Sequence, residues 1–141
     1  MQRRAFRRLF WLSSLVVAVV VLVRTSGCLS FEDPNSYVKD EAAKLRTQIE
    51  RPGMEPLGDA QVERSAWSAT MRWQYRTHED WAVYSKELAD ALSSDFKIRF
   101  PSKSRIELTR ELQGDTHHIV IELVSSSPPQ VIRVTFTTKA E

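Results

Sequence analysis

The sequence has few of the residues that build small-molecule sites. It holds one cysteine and four glycines in 141 residues. A single cysteine cannot form a disulfide within the chain, and no cysteine cluster indicates a zinc site. Four glycines leave no glycine-rich loop to cradle phosphate groups, and no G-x-S-x-G motif indicates nucleophilic catalysis. We therefore expect a protein that is not an enzyme, with no catalytic residues, no cofactor and no metal.

Acidic residues are absent from the first 28 positions, where five arginines lie: Arg3, Arg4, Arg7, Arg8 and Arg24. Removing these five from the 20 basic residues leaves 15 against 18 acidic residues, a balance of −3 beyond Cys28. A weakly acidic domain lacks the positive field that attracts phosphate backbones. The sequence therefore predicts no nucleic-acid partner.

A long uncharged run follows the first four arginines. It extends from Leu9 to Val23, fifteen residues that only Ser13 and Ser14 interrupt. This length is typical of the apolar core of an export signal and short for a spanning helix, which needs ~20 residues. The positive-inside bias keeps the arginines in the cytoplasm. We therefore expect a domain on the extracytoplasmic side of a membrane, in the periplasm or at the cell surface.

Small residues precede the one cysteine in the order Thr25-Ser26-Gly27-Cys28. This stretch resembles the lipobox of bacterial lipoproteins, although Thr25 stands where leucine is usual and Arg24 adds a charge. The resemblance implies that Cys28 is lipidated and becomes the new N-terminus. An uncleaved N-terminal anchor and simple secretion are the alternatives. Residues 1–28 are accordingly predicted to be a signal peptide or membrane anchor, and the membrane is the first expected partner.

Residues 29–60 are predicted to be a linker that contains a short helix over 36–50. Four apolar side chains lie on one helical face: Val38, Ala42, Leu45 and Ile49. Because this stripe is narrow, the helix either packs against the following domain or serves as a stalk. Prolines and glycines between positions 52 and 58 predict a loop after it.

Residues 61–141 are predicted to form a small α+β domain. Apolar side chains alternate from Trp67 to Tyr75, which indicates a strand with one buried face. From Trp81 to Leu92 they recur at helical spacing. Further strands follow as an antiparallel meander. We expect an antiparallel sheet of four to five strands, with one main helix packed on one face.

Two polar pairs in the domain have structural interpretations. Thr77 and Asp80 have the spacing of a capping box at the start of the main helix, with Thr77 as the N-cap. His117 and His118 are neighbours in a predicted strand, so their side chains point to opposite faces and cannot chelate one ion together.

The aromatic residues Trp67, Trp73, Trp81 and Tyr84 provide the remaining candidate surface. They pack in the core, or they line a surface for a ligand or partner. The leading hypothesis is a membrane-tethered, non-catalytic envelope domain that binds a protein partner or assists an assembly. The alternative is a module that binds a small apolar ligand in a pocket between the sheet and the Trp81 helix.

Overall fold

The computed structural model describes residues 35–140; the predicted signal or anchor segment, with Cys28, lies outside them. A compact unit spans Pro34–Glu141. Its elements, in chain order, are α1 (Ser36–Ile49), β1 (Glu55–Pro56), β2 (Gln61–Arg64), β3 (Ser68–Thr77), α2 (Trp81–Leu92), β4 (Lys97–Ser102), β5 (Arg105–Leu112), β6 (Asp115–Ser125) and β7 (Gln130–Ala140). In this range no helix is both long enough and apolar enough to cross a membrane.

Within residues 35–140, seven strands form one antiparallel sheet in the order β1-β3-β7-β6-β5-β4. The short strand β2 pairs with β3 on the same side as β1, so that together they cover one edge of β3. The α+β class and the antiparallel meander are therefore observed, whereas the predicted count of four to five strands is too low. Strands β1 and β2 have only two and four residues, too few to show an alternating pattern.

The core lies on one face of the sheet, beneath both helices. Alternate side chains of the long strands point into it: Met71, Trp73, Tyr75, Ile106, Leu108, Ile119, Ile121, Ile132, Val134 and Phe136. Polar side chains and the apolar Val120 occupy the positions between them and form the open face. This is the period-two division into a buried and a solvated face that an antiparallel sheet allows.

Helix α1 is part of this core. Its four apolar side chains, Val38, Ala42, Leu45 and Ile49, are all at most 3% exposed. The Tyr84 hydroxyl of α2 also donates a hydrogen bond to the Ile49 carbonyl, at 3.2 Å. Of the two roles open to this helix from its sequence, the structure has it packed on the domain. Helix α1, the sheet and α2 therefore share one core.

Helix α2 begins at Trp81, and its N-cap is Asp80. The Asp80 carboxylate accepts hydrogen bonds from the backbone N–H groups of Ala82 and Val83, at 2.9 and 3.3 Å. The prediction that Thr77 caps the helix is wrong: Thr77 is the last residue of β3 and accepts from the N–H of Glu79. A carboxylate at this position accepts from two backbone N–H groups that have no partner within the helix. Its negative charge also interacts favourably with the helix dipole.

Candidate functional site

The four aromatic residues of the predicted surface lie in two different environments. Trp73, Trp81 and Tyr84 are 3%, 7% and 0% exposed and belong to the core. Trp67 is 75% exposed and lies in the turn between β2 and β3. The structure therefore does not bring the four together on one accessible surface.

The space between α2 and the sheet is filled by side chains of the helix. The indole Nε1 of Trp81 donates to the carbonyl of Lys103 at 2.6 Å, and the Trp81 and Tyr84 rings lie 6.0 Å apart. Burial raises the pKa of Tyr84 well above its usual value. Beside Trp81 there remains an open depression of about 360 Å³ that Phe100 also lines.

A polar network is enclosed between α1 and the sheet, with His117 at its centre. His117 is fully buried and contacts Arg110 Nε through Nδ1 at 3.2 Å and the Tyr37 hydroxyl through Nε2 at 3.1 Å. Because arginine can only donate, Nδ1 is the acceptor, and the ring proton lies on Nε2. Nε2 therefore donates to the Tyr37 oxygen, and the Tyr37 hydroxyl in turn hydrogen-bonds to Asp115.

Glu41 of α1 neutralises the charge in this network. It is 5% exposed and accepts from Arg110 Nη2 at 3.2 Å and from Lys44 Nζ at 2.6 Å. Burial lowers the pKa of His117, and the nearby Arg110 guanidinium lowers it further. A neutral imidazole, an arginine and a carboxylate thus satisfy one another, away from solvent. The network fastens α1 to the sheet, and its imidazole, His117, is fully buried.

The open face of the sheet offers a concavity of about 770 Å³. The strand register sets one row of side chains across its floor, in the order Arg105, Glu122, Arg133 and Gln74. In the adjacent row Thr135 of β7 lies opposite Arg72 of β3. Three guanidinium groups from three strands therefore line one concave surface.

The three arginines differ in how well they are paired. Arg105 contacts Glu107 at 2.8 Å and Glu122 at 3.2 Å, but its buried Nε has no hydrogen-bond partner. Arg72 pairs with Glu63 at 2.9 Å. Within residues 35–140 the side chain of Arg133 has neither an ion pair nor a hydrogen bond, although Arg133 lies opposite Glu122 in the register. The centre of the concavity therefore has a guanidinium with spare donors, suited to an anionic group.

The two histidines lie on opposite faces of β6, as strand geometry predicts. His117 faces the core, whereas His118 lies on the open face, opposite Thr109 and Thr137. Across the part of the chain that the structure describes, no group of three histidine, cysteine or acidic side chains could hold a metal ion.

No protein-family model, curated protein or solved structure matches the chain.

Neither polar grouping was predicted from the sequence, for different reasons. Tyr37 and His117 are 80 positions apart, and no local pattern connects them. The three arginines of the concavity had a signal in the sequence, because Arg72, Arg105 and Arg133 each occupy the polar phase of an alternating strand. Which of these polar positions share a row depends on the strand order, which the sequence does not specify.

Proposed function

We propose that the protein is a membrane-tethered, extracytoplasmic and non-catalytic binding domain that holds an acidic segment of a partner protein on the open face of its sheet. The observation that carries the proposal is the concavity around Arg133, whose guanidinium has no partner among residues 35–140. The arginine-rich N-terminus, the apolar run Leu9–Val23 and Cys28 support the tether.

The chemistry of the concavity favours a carboxylate-bearing occupant. Arginine binds a carboxylate through two parallel hydrogen bonds, a geometry that gives both strength and orientation. Arg72 and Arg105 flank Arg133 in the same concavity, and Gln74 and Thr135 add uncharged hydrogen-bonding groups. Because Glu122 already neutralises part of Arg105, an incoming carboxylate is directed to Arg133.

A binding role is also consistent with the enclosed network. The titratable groups most perturbed by burial and by neighbours are often catalytic, but only where a substrate can reach them. His117 is 0% exposed, and both of its ring nitrogens are engaged with Arg110 and Tyr37. Because a substrate cannot reach His117, its lowered pKa supports a structural role for this residue.

The proposal is tested by titrating the full-length chain, in mild nonionic micelles, with hexaglutamate and with hexalysine. We expect hexaglutamate to shift the backbone amide resonances of Arg72, Arg133 and Thr135 in a saturable manner, and hexalysine to leave them unchanged. Arg133→Glu should weaken the binding by about tenfold or more, the equivalent of ~1.4 kcal/mol.

Lys86→Glu is the matched control, because it makes the same charge change on an exposed position of α2. Equal weakening by Arg133→Glu and Lys86→Glu would show that hexaglutamate responds only to net charge. That result, or binding of both peptides with similar affinity, would contradict the proposed site.

The second candidate function is binding of a small apolar ligand beside α2. The observation in its favour is the depression of about 360 Å³ beside Trp81 and the exposed ring of Phe100. Titration of the full-length chain with a long-chain fatty acid tests it through saturable changes in tryptophan emission. Phe100→Asp, in β4, should abolish such changes, whereas Val83→Asp, at an exposed position of α2, should preserve them.

A further inference from the structure

We infer that the end of the domain that carries Trp67 rests on the lipid headgroups of the membrane to which the chain is tethered. The inference rests on the tether of the proposed function and adds a second, non-covalent contact with the same membrane. It leaves the arginine-lined face of the sheet free for a partner.

The backbone holds Trp67 firmly while its side chain projects outward. The N–H of Ser65 donates to the carbonyl of Ser68 at 2.8 Å and closes the turn between β2 and β3. The Trp67 carbonyl accepts from the N–H of Ala140, the last residue of β7, at 3.1 Å. An indole that is 75% exposed is thus presented on a well-anchored turn.

Tyr37 lies at the same end of the domain. It is 40% exposed, and with Trp67 it lines a shallow cleft of about 190 Å³. Lys139 is exposed on β7, opposite Ser68, directly beside the Trp67 turn. Tryptophan and tyrosine are enriched at the level of lipid headgroups, and basic residues are attracted to anionic lipids. The chemistry of this end therefore matches a membrane surface.

The tether enters the domain at this same end. Tyr37 lies in the first turn of α1, and Asn35, just before the helix, follows Cys28 by only seven positions. Seven residues span at most ~25 Å even when fully extended. The far end of β3, at Thr77, lies ~30 Å along the strand from Ser68. A short tether attached beside Tyr37 therefore favours the orientation in which the Trp67 end faces the bilayer.

The test measures quenching of tryptophan emission by lipids. Full-length chain carrying Trp11→Phe is reconstituted in vesicles of phosphatidylethanolamine with a minority of phosphatidylglycerol, with and without bromine on the acyl chains. Trp11→Phe removes the indole in the apolar run, and Trp73 and Trp81 are buried, so Trp67 reports contact with lipid. We expect brominated lipids to quench the emission and Trp11→Phe/Trp67→Phe to lose the quenching.

Flotation of the same vesicles separates this inference from the tether itself. Protein that floats with the vesicles but is not quenched would overturn the contact, keep the tether, and leave Trp67 for a protein partner. Quenching that persists in Trp11→Phe/Trp67→Phe would also overturn it, because the lipid would then be reaching Trp73 or Trp81. Protein that does not float would refute the tether and the membrane contact together.

Discussion

The two faces of the sheet both carry arginine, but they use it differently. On the covered face Arg110 is held between His117 and Glu41 and lies over the Phe96 ring, with its guanidinium carbon 4.6 Å from the ring centroid. On the open face Arg133 has no partner among the described residues. A buried charge must be paired by other groups of the protein, whereas a charge exposed to solvent is hydrated and can pair with a ligand. Pairing, more than residue type, therefore distinguishes Arg110 of the covered face from Arg133 of the open face.

The largest expected effect on stability comes from removing a large side chain from the covered face. Trp73→Ala removes a side chain that is 3% exposed, and it should lower the free energy of unfolding by ~3–5 kcal/mol. Arg72→Ala, the preceding residue on the open face, should change it by only ~0.5 kcal/mol. Urea unfolding of the full-length chain in mild micelles measures both. Similar losses of unfolding free energy in Trp73→Ala and Arg72→Ala would contradict the distinction between the covered and the open face.

The next effect compares an enclosed carboxylate with an exposed one. Glu41→Ala deprives Arg110 of its buried acceptor and should lower the free energy of unfolding by ~1.5–3 kcal/mol. Glu87→Ala breaks the exposed pair with Arg51, whose N–O distance is 2.6 Å, and should change it by less than ~1 kcal/mol. The same urea experiment applies, and a larger loss for Glu87→Ala would contradict this interpretation.

The covered face should also make stability depend on pH. Burial, together with Arg110, lowers the pKa of His117 below its usual value of 6.5, so the unfolded chain takes up a proton more readily. The stability that neutral His117 provides is present above about pH 6.5 and is lost as the pH falls through the lower pKa of the folded state. His117→Gln should flatten this part of the profile of unfolding free energy against pH.

His118→Gln is the control for that profile, because His118 lies on the open face of the same strand. It should keep the wild-type slope below pH 6.5. A wild-type slope in His117→Gln would assign the pH dependence to carboxylates instead.

The smallest expected effect belongs to the other tryptophan of the strand region. Trp67→Ala should change the free energy of unfolding by only ~0.5 kcal/mol, because Trp67 is 75% exposed and its removal leaves no buried cavity. The measurement is again urea unfolding, beside Trp73→Ala. A loss of several kcal/mol would mean that Trp67 packs against the domain, and it would then be unsuited to the membrane contact.

Periodicity identified the long strands because it records which face of the sheet is buried. It could not distinguish Trp67 from Trp73, since both fall in the same phase of one alternating run. Trp67 precedes the first residue of β3 and turns away from the core. The alternating pattern thus extends one residue before β3, to a tryptophan that lies outside the strand.

The position of α1 and the two polar groupings required tertiary information. The narrow stripe from Val38 to Ile49 suits a stalk as well as a packed helix, and the first long strand of the sheet that covers it, β3, begins only at Ser68. The hydrogen bond between Tyr37 and His117 joins the first helix to β6. Such contacts depend on which strands are neighbours, and that order arises from global packing.

Strand β7 joins the two parts of the sheet. This strand is the last element, yet it lies between β3 and β6, and Thr70 bonds to Thr137, 67 positions away. A chain that ended before Gln130 would not simply have a narrower sheet. Its sheet would separate into two parts, β1 to β3 and β4 to β6. Each part would have an unpaired strand edge where β7 now lies. The main pairing partner of β3 is therefore the eleven-residue strand β7, so β3 cannot complete its pairing until β7 is present.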